Sequence, residues 1–245
     1  MNNILVTGAA GYIGSMLCTK LVENKKNFVT AVDLLKYDKN SLSHLYKNKN
    51  FKFIKEDIRK ESVIKKIIKK QDIIFPLAAL VGAPLCEKFK KNTIETNINY
   101  LNLMIKNLKK EQKIIYPTTN SGYGVGAKNK FCDENSPLNP ISLYGTTKAD
   151  AEKIVLKYGN SVCFRLATVF GYSYRMRTDL LVNNFVERAI KKNKLELFEA
   201  HFRRNYIHIS DVVDAFIFAI ENFKKLKGNT YNLGLSSANL TKYSL

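Results

Sequence analysis

The stretch Ile4-Leu5-Val6-Thr7-Gly8-Ala9-Ala10-Gly11-Tyr12-Ile13-Gly14 decides how the rest of the chain is read. Ile4-Leu5-Val6 is a short apolar run that stops at Thr7-Gly8, and helical spacing follows from Tyr12 to Val22. Gly8 permits a tight turn, Gly11 lets backbone approach a pyrophosphate, and Gly14 lets the helix pack close to the strand. The helix N-terminus, at Tyr12 and Ile13, then faces the phosphates. A second apolar run, Phe28 to Asp33, ends on a carboxylate about 20 residues further on, placed to accept hydrogen bonds from adenosine ribose hydroxyls. The same carboxylate repels a 2′-phosphate and no arginine follows it in sequence, so NAD is expected rather than NADP, although Lys36 and Lys39 stand close by.

Outward from this unit the alternation continues. Phe51 to Ile54 reads as a strand ending near Asp57, whose backbone and side chain are placed for the adenine. Ser62 to Lys70 reads as a helix, Asp72 to Phe75 as a buried strand opening into Pro76-Leu77-Ala78-Ala79, and Thr93 to Lys109 as a long helix. Lys113 to Tyr116 is the strand that delivers Thr118 and Thr119, and Ser161 to Arg165 is the next. Such alternation predicts an α/β fold, a Rossmann-type doubly wound parallel sheet with helices on both faces. Ligands in such sheets lie beyond the carboxyl ends of the strands, where Gly8, Asp33, Asp57, Ala78, Thr119 and the residues after Arg165 all fall.

Tyr144 and Lys148 are four apart in a run of helical spacing from Tyr144 to Lys157, so both side chains lie on one helix face. A lysine beside a phenol favours the phenolate and lowers a pKa that starts near ~10. Tyr144 is then expected to accept a proton near neutral pH. Thr118, Thr119 and Ser121 offer hydroxyls to orient a sugar or alcohol oxygen against it.

Composition narrows the classes further. The formal charge of +19 comes from 33 lysines and 7 arginines against 21 acidic residues, spread along the chain beside 25 asparagines. That pattern reads as solvated helix faces and biased composition, so no nucleic-acid partner is expected. Cys18, Cys86, Cys132 and Cys163 form no metal-site spacing, and His201 and His208 read as structural, so no metal is expected. With no apolar run of membrane-spanning length and no signal peptide, the expected location is the cytoplasm.

Gly8-x-x-Gly11-x-x-Gly14, Asp33, Asp57, Leu77-Ala78-Ala79, Asn97, Thr119 with Tyr123-Gly124, and Tyr144-x-x-x-Lys148 resemble the extended short-chain dehydrogenase/reductase family, within it the nucleotide-sugar epimerases and dehydratases. Arg165 to Gly171 and Arg204 to Val212 continue the pattern. The resemblance implies NAD as cofactor, held at Gly8, Gly11, Tyr12, Ile13, Gly14, Asp33, Asp57, Ile58, Leu77, Ala78, Ala79 and Asn97. It implies Tyr144 as acid/base, Lys148 on the nicotinamide ribose and Thr119 on the reacting hydroxyl. Arg204 would meet the sugar nucleotide's diphosphate, while Asp211 is expected to cap a helix from Val212 to Asn222.

Departures from the family set the finer expectation. Asn120 and Ser121 stand where dehydratases and decarboxylases carry acids, which favours simple C4 epimerisation through a transient 4-keto sugar. The alternatives are a keto-sugar reductase, a 4,6-dehydratase and an NAD-binding scaffold. Ser173 to Arg177 replaces a proline-rich segment, and Arg177, with Ser121, Asn184 and Phe185, is a candidate for the substrate. Pro76 and Tyr100-Leu101 also depart from the usual residues. A cofactor domain over residues 1–170 and an interleaved, truncated substrate lobe over 171–245 are expected, as is a homodimer through helices 93–109 and 144–157.

Overall fold

The computed structural model describes residues 1–126 and 131–245. Strand and helix alternate from the start: β1 (Asn2–Thr7), α1 (Tyr12–Glu23), β2 (Asn27–Asp33), β3 (Phe51–Lys55), α2 (Glu61–Ile67) and β4 (Ile73–Pro76). Then come α3 (Ala83–Lys88), α4 (Lys90–Ile94), α5 (Tyr100–Asn107), β5 (Lys113–Thr119), α6 (Leu143–Tyr158), β6 (Ser161–Leu166) and β7 (Thr168–Phe170). The remainder holds α7 (Leu181–Lys192), β8 (Arg203–His208), α8 (Ile209–Glu221), α9 (Phe223–Leu226), β9 (Thr230–Leu233) and β10 (Asn239–Thr241).

Seven strands form one parallel sheet in the order β3-β2-β1-β4-β5-β6-β9, and β10-β8-β7 form a second sheet. The order reverses between β1 and β4, which opens a crevice beyond their carboxyl ends. Successive side chains of β1 go to opposite faces. Ile4 and Val6 join Leu17 of α1 and Phe216 of α8 on one side, while Leu5 joins Ile64, Met104 and Val155 on the other. Burial on both faces is why this strand reads as a continuous apolar run. Residues beyond 170 serve both sheets: β9 pairs with β6, and the Phe216 ring lies 5.6 Å from that of Phe75. No helix among the described residues is long and apolar enough to cross a membrane.

Three elements differ from expectation, each for a local reason. The long helix expected over 93–109 begins at Lys90 and is interrupted by a π turn at Glu95–Asn99 before α5. The amide of Asn97 in that turn bonds the backbone of Leu80 in both senses, accepting from its N–H at 2.9 Å and donating to its C=O at 3.0 Å. α2 stops at Ile67, and Gln112 donates to the carbonyls of Ile68 and Gln71 beyond it. α8 starts at Ile209 and its cap is His208, whose Nδ1 accepts from the Ser210 amide at 3.3 Å. Asp211 falls in the first turn, where its charge complements the helix dipole.

Candidate active site

The glycine turn is built by contacts that exclude side chains. Gly8 has φ +67°, and a Cβ there would stand 2.6 Å from the Ala78 nitrogen. A Cβ on Gly14 would stand 2.3 Å from the Gly8 carbonyl oxygen. Leu77 and Ala78 thus lie against the turn, and Ala78 N donates to Thr7 Oγ1 at 3.4 Å. Thr7 Oγ1 is also 3.0 Å from the phenol of buried Tyr100, which gives that departure from the family a structural role. α1 opens at Gly11 with no side-chain cap, so the amides of its first turn, at Tyr12 and Ile13, await an acceptor. The positive end of that helix suits a dinucleotide's pyrophosphate in charge.

At the end of β2, Asp33 accepts from Ala10 N at 3.1 Å and from Leu35 N at 2.8 Å. A carboxylate offers about four acceptor positions, so room is left for ribose hydroxyls. Burial raises the Asp33 carboxyl above its usual range, against the pull of these amides and of the Arg175 charge. Asp57 is held by the guanidinium fork of Arg59, at 3.0 Å from Nε and 2.6 Å from Nη2, and this pair keeps its carboxyl low. The side chain of Ile58 is buried in the core. Asn97 also donates to Thr147 at 3.3 Å, so its amide joins the loop after β4 to α6.

Tyr144 and Lys148 lie one turn apart on α6, as their spacing requires, but their proton affinities differ from expectation. Burial pushes the Tyr144 phenol up to about 12, against the Thr119 side chain and the Arg177 charge, which favour the phenolate. Lys148 does not supply that pull. Its ammonium is buried and turned to Tyr116 and Pro117, donating to the phenol and the carbonyl at 2.6 Å each. Burial brings it down to about 7. The expectation that Lys148 lowers the Tyr144 pKa is therefore corrected: desolvation outweighs every charge that reaches the phenol.

Thr119 terminates β5 and accepts from the Ser121 amide at 3.2 Å, capping the tight turn Asn120–Tyr123. Arg177 is closed onto Asp179, with Nε 3.0 Å from Oδ1, yet its charge reaches both Tyr144 and Tyr12. Asn184 donates to the Thr178 carbonyl at 3.1 Å and so holds the entry to α7. Arg204 is exposed on β8, and its charge acts on Tyr206. The structure thus brings Thr119, Tyr144 and Arg177 together, with Ser121 adjoining, and leaves Arg204 apart from that group.

Tyr116, Asn183, Glu152 and Asn232 escaped the sequence reading. Tyr116, one of the two acceptors for Lys148, carried no signal beyond its place on an apolar strand. Asn183 accepts from the Gly171 amide at 2.9 Å and donates to the Arg177 carbonyl at 3.0 Å, which fixes the segment carrying Arg177. Glu152, one turn beyond Lys148, forms a buried pair with Arg165 at 2.6 Å. Arg165 Nη1 also donates to the Tyr123 phenol at 2.8 Å, and Tyr123 donates to Asn232 at 2.7 Å. Glu152 at four residues past Lys148 was the available signal.

The chain belongs to the NAD dependent epimerase/dehydratase family, whose model matches residues 4–234. It is 32% identical to YtcB of Bacillus subtilis (strain 168), described as an uncharacterized UDP-glucose epimerase, over 94% of this chain and 76% of that protein. It is 31% identical to the dTDP-D-glucose 4,6-dehydratase of Dictyostelium discoideum, over 96% of this chain and 58% of that one. Among solved structures, the Bacillus cereus UDP-glucuronic acid 4-epimerase, in complex with UDP-glucuronic acid and NAD, superposes with a TM-score of 0.85 at 28% identity. That likeness covers 95% of this chain and 77% of the other. NAD is accordingly the cofactor of this family.

Proposed function

We propose that this chain is an NAD-dependent nucleotide-sugar epimerase that inverts C4 through a transient 4-keto sugar. The observation that carries the reading is the pair Asn120 and Ser121 directly after Thr119, where an elimination would require a carboxyl acid or base. The fields reaching the Tyr144 phenol agree: they come from Thr119, Arg177 and Cys86, none of them a carboxylate. Such a site suits redox at one carbon with one proton shuttle and disfavours loss of water.

In this reading Thr119 holds the C4 hydroxyl, and Tyr144 takes its proton and later returns it. The phenol is half-buried, and the nearby Arg177 charge limits the cost of the phenolate. Bound NAD would supply the oxidant for the sugar carbon and give the hydride back to the opposite face. Residues 171–245 form the substrate lobe in this account, with Arg177 and Arg204 as guanidinium forks for the diphosphate. A homodimer through α4–α5 and α6 belongs to the same proposal, and light scattering checks it.

The experiment is an incubation with UDP-, GDP-, CDP- and dTDP-sugars, without reduced cofactor, followed by NMR. A changed configuration at constant mass is the expected result. Turnover of a keto sugar only when reduced cofactor is added would instead identify a reductase.

A further inference from the structure

The segment between β7 and α7 runs along the cofactor side of the molecule. Ser173 Oγ donates to the Tyr12 carbonyl at 2.7 Å and lies 3.0 Å from Ser15 Oγ, both in the first turns of α1. Tyr174 stacks on His44 with ring centroids 3.8 Å apart, and His44 Nε2 is 2.8 Å from Thr19 Oγ1. The next residue, Arg175, sets its guanidinium carbon 4.6 Å from the ring centroid of Tyr37, in the loop that leaves β2 after Asp33. Lys36 Nζ is 5.9 Å from that same centroid. Arg177 is closed onto Asp179, whereas Arg175 is stacked and, among the described residues, in no salt bridge.

The residue at the end of this strand governs what the adenosine ribose may carry. A carboxylate alone accepts from the 2′-hydroxyl and repels a 2′-phosphate, while a nearby arginine accommodates the phosphate. Here both are present. Asp33 is the carboxylate, and Arg175, whose charge reaches it, arrives from far along the chain. Reading neighbours in sequence alone, which favoured NAD, missed this cation.

We propose that Arg175, with Lys36 beside it, makes the adenosine end of the groove accept a 2′-phosphate, so that this chain binds NADP as well as NAD. The guanidinium fork meets the phosphate oxygens and offsets the Asp33 charge. Tyr37 holds the planar group in place by stacking. The inference rests on the dinucleotide site and is independent of the epimerase reading.

The test is calorimetric titration of the full chain, stripped of copurified nucleotide, with NAD+ and separately with NADP+, no sugar being present. The wild type is expected to bind the two with dissociation constants within about tenfold of each other. Arg175→Ala is expected to weaken NADP+ by about tenfold or more and NAD+ by less than about threefold, with circular dichroism confirming the fold. Arg175→Lys, which keeps the charge and loses the fork, should fall between. A wider gap in the wild type, or equal losses for both nucleotides in Arg175→Ala, overturns the proposal.

Discussion

The glycine turn of residues 8–14 and the start of α6 around Tyr144 are the two candidate parts of the site, yet different things determine them. At the turn the functional atoms are main-chain amides, and their placement follows from side chains that are missing: a Cβ on Gly8 or Gly14 would run into backbone. On the helix the candidate functional atoms are a phenol and an ammonium. Their spacing is local, but their proton affinities come first from desolvation and then from Thr119, Arg177, Cys163 and Glu152. Position can be read from spacing, whereas protonation is a property of the assembled fold.

The largest effect that would separate the two regions is chemical. Tyr144→Phe should lower kcat by roughly a thousandfold while NAD+ affinity, read by calorimetry, stays near wild type. Equal damage to both would mean that the helix also builds the cofactor site.

Glu152→Ala comes next, because it leaves the Arg165 guanidinium buried without its partner. A loss of about 3–5 kcal/mol is expected from urea unfolding, with most of it recovered when Arg165→Met is added. No recovery in the double variant would deny that the buried pair is the cause.

Gly8→Ala tests the turn itself. Strain at a positive φ should cost on the order of 1–3 kcal/mol, and NAD+ binding should fall with it. The backbone contact with Ala78 adds to that strain.

A separate effect concerns pH. Lys148 titrates at about 7 in the folded chain against 10.5 ordinarily, so between those values the unfolded chain binds more protons. Stability should therefore rise with pH across that window, and Lys148→Met should flatten the rise. Urea midpoints at both ends of the window decide it.

Much of this molecule was legible beforehand. The alternation of apolar runs gave the parallel sheet, because strands buried on both faces must be apolar throughout. Gly8, Asp33 and Thr119 fell at strand ends, where such sheets hold ligands. The π turn at Glu95–Asn99 was not legible, since it depends on Asn97 bonding Leu80 across a loop. The His208 cap was hidden because histidine is not a customary capping residue. The neutral Tyr144 could not be foreseen either, because i,i+4 spacing says where a lysine starts and not where its ammonium ends. Arg175 beside Asp33 is the same lesson at long range.

The most direct measurement is to run the sugar conversion in D2O and locate deuterium in the product by NMR. With hydride returned to the carbon it left, and no carboxylate base to exchange a carbon-bound proton, the product should be an epimer carrying no deuterium on any sugar carbon. Deuterium on a carbon, or a product lighter by water, would contradict the account.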